Sequence, residues 1–377
     1  MINMFIDSKK LGLSKDKCHR IHIGKGHDQC PELSVHDSKM KEADKEKYLG
    51  DIIDSSGNLE ATIESRQKKG DGIISEILSL IDEIPLGKYK VEVALRLREA
   101  MLLNGVLFNS EAWHGVTAAQ VAKLEKIDEN LFRGILKAHR KTPSEFLYLE
   151  TGTLPIRFIM AQRRINYLKH ILSRNDEELI KKVYLAQKDN PTSGDFTKLI
   201  EKDLEMLGVN QEEVILNNFS KHKLKRAATN AAFSYLLNKK ETHEKSKHIP
   251  YQSLTIQNYL VSDLLTHKEA NMLTAIRSHC LRGIRYNFSK MFKDNLDCPL
   301  KCDELNPSPD TQEHILNCKI LNQTHCEENV LMDHMYGDLL QQSKLSQKFC
   351  TLMSQREQLL EPQEDTHHNH NHQIFNI

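Results

Sequence analysis

The sequence predicts a mainly α-helical chain with a small β portion at the front and a small metal module near the end. Apolar residues recur at intervals of three and four over long stretches after residue 60, the period of helices with one buried face. Short alternating segments bounded by Gly and Ser stand only before that point. Late in the chain, three thiols and an imidazole follow the pattern Cys298-x3-Cys302-x11-His314-x3-Cys318.

In chain order, Met4, Phe5, Ile6 and Leu11 suit a short helix that Gly12 and Ser14 end. Ile21-His22-Ile23 alternates as a strand does, residues 24–27 read as a turn, and Tyr48-Leu49-Gly50-Asp51-Ile52-Ile53 is a second strand candidate. A helix follows on Ile73, Ile77, Leu80 and Ile84, stopped by Pro85. Another carries Val121, Leu124, Ile127, Leu131 and Ile135, and a third Phe158, Ala161, Ile165, Leu168 and Leu172. Arg163, Arg164, Lys169 and Arg174 are expected opposite that last stripe. Thr142-Pro143 and the stretch from Gly152 to Pro155 mark turns, and Asp189-Asn190-Pro191-Thr192-Ser193-Gly194 reads as a linker. Beyond it come a basic helical stretch with Lys221, Lys223, Lys225 and Arg226, an exposed loop from Lys239 to Lys247, and a helical region from Thr266 to Lys293. The chain ends in an acidic, then His-rich, low-complexity tail.

The metal module has its own logic. Cys298-Pro299-Leu300-Lys301-Cys302 is short enough to form a knuckle. Asp310 with Glu313 resembles a capping box, which starts a helix and puts His314 and Cys318 one turn apart on one face. Four protein ligands leave no open position for water, so Zn is expected in a structural role. The remaining cysteines, Cys18, Cys30, Cys280, Cys326 and Cys350, have no evident ligand partners.

Hydrophobic residues make up 39% and charged residues 28% of the 377 positions, a balance that suits a soluble protein with a sizeable core. No apolar run reaches membrane-spanning length and no secretory signal opens the chain, so an intracellular, reducing setting (cytoplasm, nucleus or both) without a membrane partner is expected. The net charge is zero but uneven. Lys88 to Arg174 holds 15 Lys/Arg against 8 Asp/Glu, a net of +7, whereas Asp303 to Ile377 holds 4 against 12, a net of −8. A basic middle suits a polyanion, and Arg133, Lys137, Arg140 and Lys141, then Arg163 and Arg164, are the candidates for phosphate contact. Nucleophile elbow, P-loop and dinucleotide patterns are absent, as is any adjacent Asp-Asp pair that would nominate a two-metal site.

The order of these pieces resembles the back half of a non-LTR (LINE-type) retrotransposon reverse transcriptase. Phe5-Ile6-Asp7-x2-Lys10-Leu11-x-Leu13-x3-Lys17-Cys18 resembles the stretch after the catalytic strand of the palm, and Lys47-Tyr48-Leu49-Gly50 the motif at the palm–thumb junction. The run from Asn104 to Trp113, then Thr142-Pro143, Glu150-Thr151-Gly152 and Arg163-Arg164-Ile165-x-Tyr167-Leu168, is similar to the helical region that follows. Glu313-His314-Ile315-Leu316-x-Cys318 resembles the second half of the C-terminal zinc motif.

The resemblance implies a palm remnant and palm–thumb junction over 1–60, a helical thumb-like region over 61–188, and a second helical region over 195–293. A CCHC zinc module over 294–325 and a partly disordered tail over 326–377 complete it. It implies RNA and DNA (template–primer and target) as partners, with Tyr48, Leu49 and Gly50 near the primer. The palm aspartates of the family would precede Met1, so the expectation is a truncated fragment without polymerase activity of its own, Mg belonging only to an intact parent polymerase. The alternatives are the C-terminal portion of an active RNA-directed DNA polymerase, if the frame extends upstream or a separate palm segment is supplied, and a relic or structural zinc protein that binds no nucleic acid.

Overall fold

Glycines let the first long helices meet closely, and the fold grows from that contact. The structure, a computed structural model, describes residues 18–23, 32–35, 38–83, 89–192, 194–215, 219–292, 295–321 and 330–361. The expected helix near Met4, the turn at 24–27, the Pro85 stop, Cys30, Cys326 and the His-rich tail lie outside the described residues. The chain is mainly helical and divides into two compact units. The first comprises residues 1–135, 147–240 and 251–257, and the second 136–146, 241–250 and 258–377.

The first unit opens with three two-stranded pairings. β1 (His19–Arg20) pairs in parallel with β4 (Lys41–Glu42), β2 (Ser34–Val35) antiparallel with β3 (Ser38–Lys39), and β5 (Lys45–Tyr48) antiparallel with β6 (Asp51–Asp54). Ile21–Ile23, expected as a strand, is irregular because the pairing ends at Arg20. The single strand expected over Tyr48–Ile53 is instead a hairpin. Tyr48 pairs with Asp51, and Leu49 (φ 47°) and Gly50 (φ 93°) form the turn, a left-handed pair that suits the twist of a two-residue hairpin.

The helices of this unit are α1 (Glu60–Glu83), α2 (Lys90–Leu97), α3 (Ala118–Ile135), α4 (Ser144–Thr151, shared at its first turn with the second unit), α5 (Ile156–Leu172), α6 (Leu179–Asp189), α7 (Phe196–Leu207), α8 (Gln211–Ile215) and α9 (Lys221–Glu241). α2 continues through a π-helical segment, Arg98–Leu103, into the turn Asn104–Val106. A Cβ on Gly70 of α1 would stand 2.6 Å from Ile127, and one on Gly134 of α3 would stand 2.6 Å from Leu78, so each helix yields space to the other. That contact turns α1 so that Ile74, Ile77 and Ile81 are buried. Of the stripe expected on α1, Ile77 holds, Ile73 is half-buried and Leu80 is exposed. On α3, Leu124, Ile127, Leu131 and Ile135 are buried as expected; on α5, Phe158, Ala161, Ile165 and Leu168 are, with Ile171 rather than Leu172 continuing the stripe. The segment from Asp189 to Gly194 joins α6 to α7 within this unit rather than linking domains, and Lys240, expected in a loop, is a buried residue of α9.

A buried ion pair ties α2, α3 and the chain before α5. Arg98 donates through Nε and NH2 to the two carboxylate oxygens of Asp128, both at 2.6 Å, and through NH2 to the Leu154 carbonyl at 3.0 Å. Its guanidinium also lies 5.2 Å from the Phe132 ring centroid.

The second unit is built on α10 (His267–Arg277), α11 (Ser289–Phe292), α12 (Gln312–Asn317), α13 (Val330–Tyr336) and α14 (Leu339–Leu360). The helix expected over Thr266–Lys293 is thus two helices separated by turns and a 3-10 segment at Tyr286–Phe288. Thr266 and Asp338 head α10 and α14 in full capping boxes. Between α10 and α11, His279 takes a left-handed φ of 46° and meets His248 edge to face, Nε2 to Nε2 at 3.1 Å. Burial, and then the nearby Lys245 ammonium, holds the His279 imidazole down at about 4. Among the described residues no helix is long and apolar enough to cross a membrane.

Two outcomes are expected in urea unfolding. Arg98→Met alone should cost about 3–5 kcal/mol because it strands the Asp128 carboxylate, while Arg98→Met with Asp128→Leu should recover most of that loss. His279 binds a proton more weakly folded than unfolded, so stability should fall as pH drops from about 6.5 toward about 4. His279→Asn, which tolerates the left-handed backbone, should flatten that decline.

Candidate metal centre

Residues 295–318 place the ligands on two short, internally bonded pieces. In the knuckle, the Lys301 amide donates to the Cys298 carbonyl at 3.1 Å, and Lys301 takes a left-handed φ of 51° to bring Cys302 back toward Cys298. The backbone amides of Leu300 and Cys302 act on the Cys298 sulfur and partly offset the burial that raises its thiol. The Cys298 amide donates to the Ser308 carbonyl at 2.9 Å, and Asp297 bridges Pro309, which closes the loop at its base.

The second piece is α12. Thr311, not Asp310, caps it: the Thr311 hydroxyl accepts from the His314 amide at 3.0 Å. Asp310 is already engaged. Its buried carboxylate takes two bonds from Arg356, at 2.7 and 2.6 Å, and one from the Arg285 amide at 2.7 Å. Cys318 is the first residue past the helix (φ −64°, ψ 120°), so it reaches the cluster by leaving the helix rather than by sharing a helical face with His314.

The four donor atoms of Cys298, Cys302, His314 and Cys318 lie within 4.8 Å of one another, and Cys302 Sγ stands 3.4 Å from His314 Nε2. Zn–S bonds of about 2.3 Å and a Zn–N bond of about 2.0 Å set donors roughly 3.5–3.8 Å apart in a tetrahedron, so this set fits a zinc ion. The electrostatics agree. Burial pushes the Cys302 thiol up to about 12, with the neighbouring sulfurs of Cys298 and Cys318 adding to it, and burial also raises Cys298. Burial lowers His314. Sulfurs crowded this closely keep their protons unless a cation sits among them, and a metal that binds displaces those protons. Four protein donors complete the tetrahedron, which suits a structural site.

Two supports around the cluster carry no spacing signal. Lys319 donates to Asp303 Oδ2 at 2.8 Å, joining the residues just after Cys302 and Cys318. Arg356 reaches Asp310 from α14, 46 residues away, and no local pattern singles it out. The Thr311 cap has one local signal, a Thr three residues before His314, but Asp310 beside it is an equally good cap residue.

The candidate phosphate contacts are divided among different roles. Tyr48 and Leu49 are exposed at the hairpin tip with Gly50. Arg133 pairs with Glu129 at 3.1 Å along α3. Arg163 donates to the Leu107 carbonyl and to Asn104 Oδ1. Arg164 lies on the buried face of α5, not opposite it, and grips Asp203 at 2.6 and 2.8 Å, so it is a core tie with no open face. Lys137, Arg140 and Lys141 are exposed, on the connection after α3 rather than on the helix, and belong to the second unit.

Cys302→Ser and His314→Ala are each expected to remove the bound metal, read by mass spectrometry of the purified chain, and to lower the thermal midpoint of unfolding. Full zinc content in both variants would reject the assignment. No family model matches the chain, and neither a curated protein nor a solved structure matches it.

Proposed function

We propose that this chain binds nucleic acid as the post-palm part of a LINE-type reverse transcriptase, with Cys298, Cys302, His314 and Cys318 holding a structural zinc ion. One observation carries the reading: two separate pieces of the resemblance form a single physical unit. The Asp51 carboxylate, next to Tyr48-Leu49-Gly50, accepts from Arg66 at 2.6 Å. It also accepts from Asn109 at 3.2 Å and from the indole of Trp113, the chain's only tryptophan, at 3.4 Å. Arg66 in turn donates to the carbonyls of Gly105 and Phe108 at 3.3 Å. The hairpin tip is therefore pinned to the Asn104–Trp113 segment while Tyr48 and Leu49 stay exposed, as a contact at a primer end requires. In this reading the hairpin touches the strand end, exposed cations hold the backbone, and the metal fixes the local fold of residues 295–318.

A second reading, a structural zinc protein without nucleic-acid binding, is favoured by the internal use of Arg163 and Arg164. Fluorescence anisotropy with a labelled RNA–DNA hybrid separates the two. A patch that neutralises about three phosphates should lose roughly 40-fold in affinity between about 50 and about 200 mM salt. Binding that is absent, or unchanged by salt, favours the second reading. With template–primer, Mg²⁺ and nucleotides, the chain alone is expected to incorporate nothing, since no Asp-Asp pair nominates a two-metal site.

A further inference from the structure

Within the second unit, cations from three separate stretches of chain converge on one imidazole. Burial, and then the charges of Arg282, Lys245, Arg140 and Lys141, hold the His139 imidazole down at about 4. The ring therefore stays neutral at ordinary pH. Its Nδ1 accepts from the Lys141 amide at 3.1 Å, which leaves the proton on Nε2. His139 packs on Phe288 with centroids 4.8 Å apart, and the ammonium groups of Lys141 and Lys245 lie 5.3 and 5.0 Å from that same ring.

The cations differ in freedom. Lys245 is half-buried and fixed, donating to the carbonyls of His279 and Asn287, both at 3.0 Å, and to Cys280 Sγ at 3.3 Å. Arg140, Lys141 and Arg282 are exposed, and none has a carboxylate partner among the described residues. The acids nearest in sequence are occupied: Glu145 accepts from Ser246 at 3.0 Å and Glu244 pairs with Lys247 at 2.7 Å. Like charges gathered without a counter-charge repel one another, and an anion relieves that cost.

We propose that Arg140, Lys141 and Arg282, gathered around the His139–Phe288 pair, form a phosphate-binding patch that takes the backbone of a nucleic-acid strand. The patch rests on the nucleic-acid reading and deepens it: the backbone contact is made by the unit that carries the metal cluster, not by the helices of the first unit. Ring floor, fixed ammonium and exposed guanidinium and ammonium heads are the parts from which sequence-independent strand binding is made.

The test uses the full chain and a labelled single-stranded RNA, titrated at several salt concentrations. Arg140→Gln with Arg282→Gln removes two exposed charges, and zinc content and circular dichroism check the fold. Affinity should fall roughly tenfold and the salt slope should become shallower by about 1.4. The charge-matched pair Lys221→Gln with Lys225→Gln, in the first unit, should leave both nearly unchanged. If the unaltered chain binds RNA and the Arg140/Arg282 variant binds it equally well, or the control variant loses as much, the patch is wrong and the nucleic-acid reading stands. If the unaltered chain binds no RNA, both fall. Loss of binding to anionic vesicles or polyglutamate, with RNA affinity intact, also overturns the patch.

Discussion

The chain around the Cys298, Cys302, His314 and Cys318 cluster is framed by one buried ion pair, Arg356 with Asp310. Both side chains are essentially closed to water, and Arg356 also donates to the Gly283 carbonyl at 2.8 Å. Through Asp310 the pair reaches the Arg285 amide by its carboxylate, the Tyr286 amide by its carbonyl and the Leu296 carbonyl by its own N–H. One residue, by its carboxylate and its backbone, thus joins α14, the turn before α11 and the chain on either side of the knuckle. Such a pair adds little net stability, since desolvation offsets most of its attraction. Its effect is geometric: the segments that lead into Cys298 and into His314 are held together at Leu296 and Asp310.

How much of this was legible follows from the range of the interactions. The cluster of Cys298, Cys302, His314 and Cys318 was legible because its members lie close in sequence and obey a spacing rule, and the buried stripes of α3 and α5 because helical period reports burial. The cap of α12 was misread by one residue: Asp310 and Thr311 are both good caps, and only the distant Arg356 decides between them. Arg164 was placed on the solvent side for the same reason, since its partner Asp203 is 39 residues away. The hairpin at Leu49–Gly50 was hidden because a leucine seldom takes a left-handed backbone.

Charge, too, is sorted by structure rather than by count. The basic stretch from Lys88 to Arg174 looks like one polyanion surface in the sequence, yet Arg98, Arg157 and Arg164 each hold a carboxylate two-pronged inside the first unit. Net charge over a window therefore overstates what can meet a ligand. What remains open to solvent is a smaller set, and its members come from positions that no helical face would have grouped.

The π-helical segment from Arg98 to Leu103 has a consequence for how the chain can change. A π turn holds one residue more than an α turn, and each α-helical residue turns the next by about 100°. Before the segment's end, Arg98 is aimed at Asp128; after it, the Gly105 carbonyl is aimed at Arg66, and Ile73 packs where a Gly105 side chain would be. The inserted residue is what lets both stretches meet their separate partners. The helix is thus a phase-shifting coupling, and loss of a single residue there would leave either half well placed only at the expense of the other.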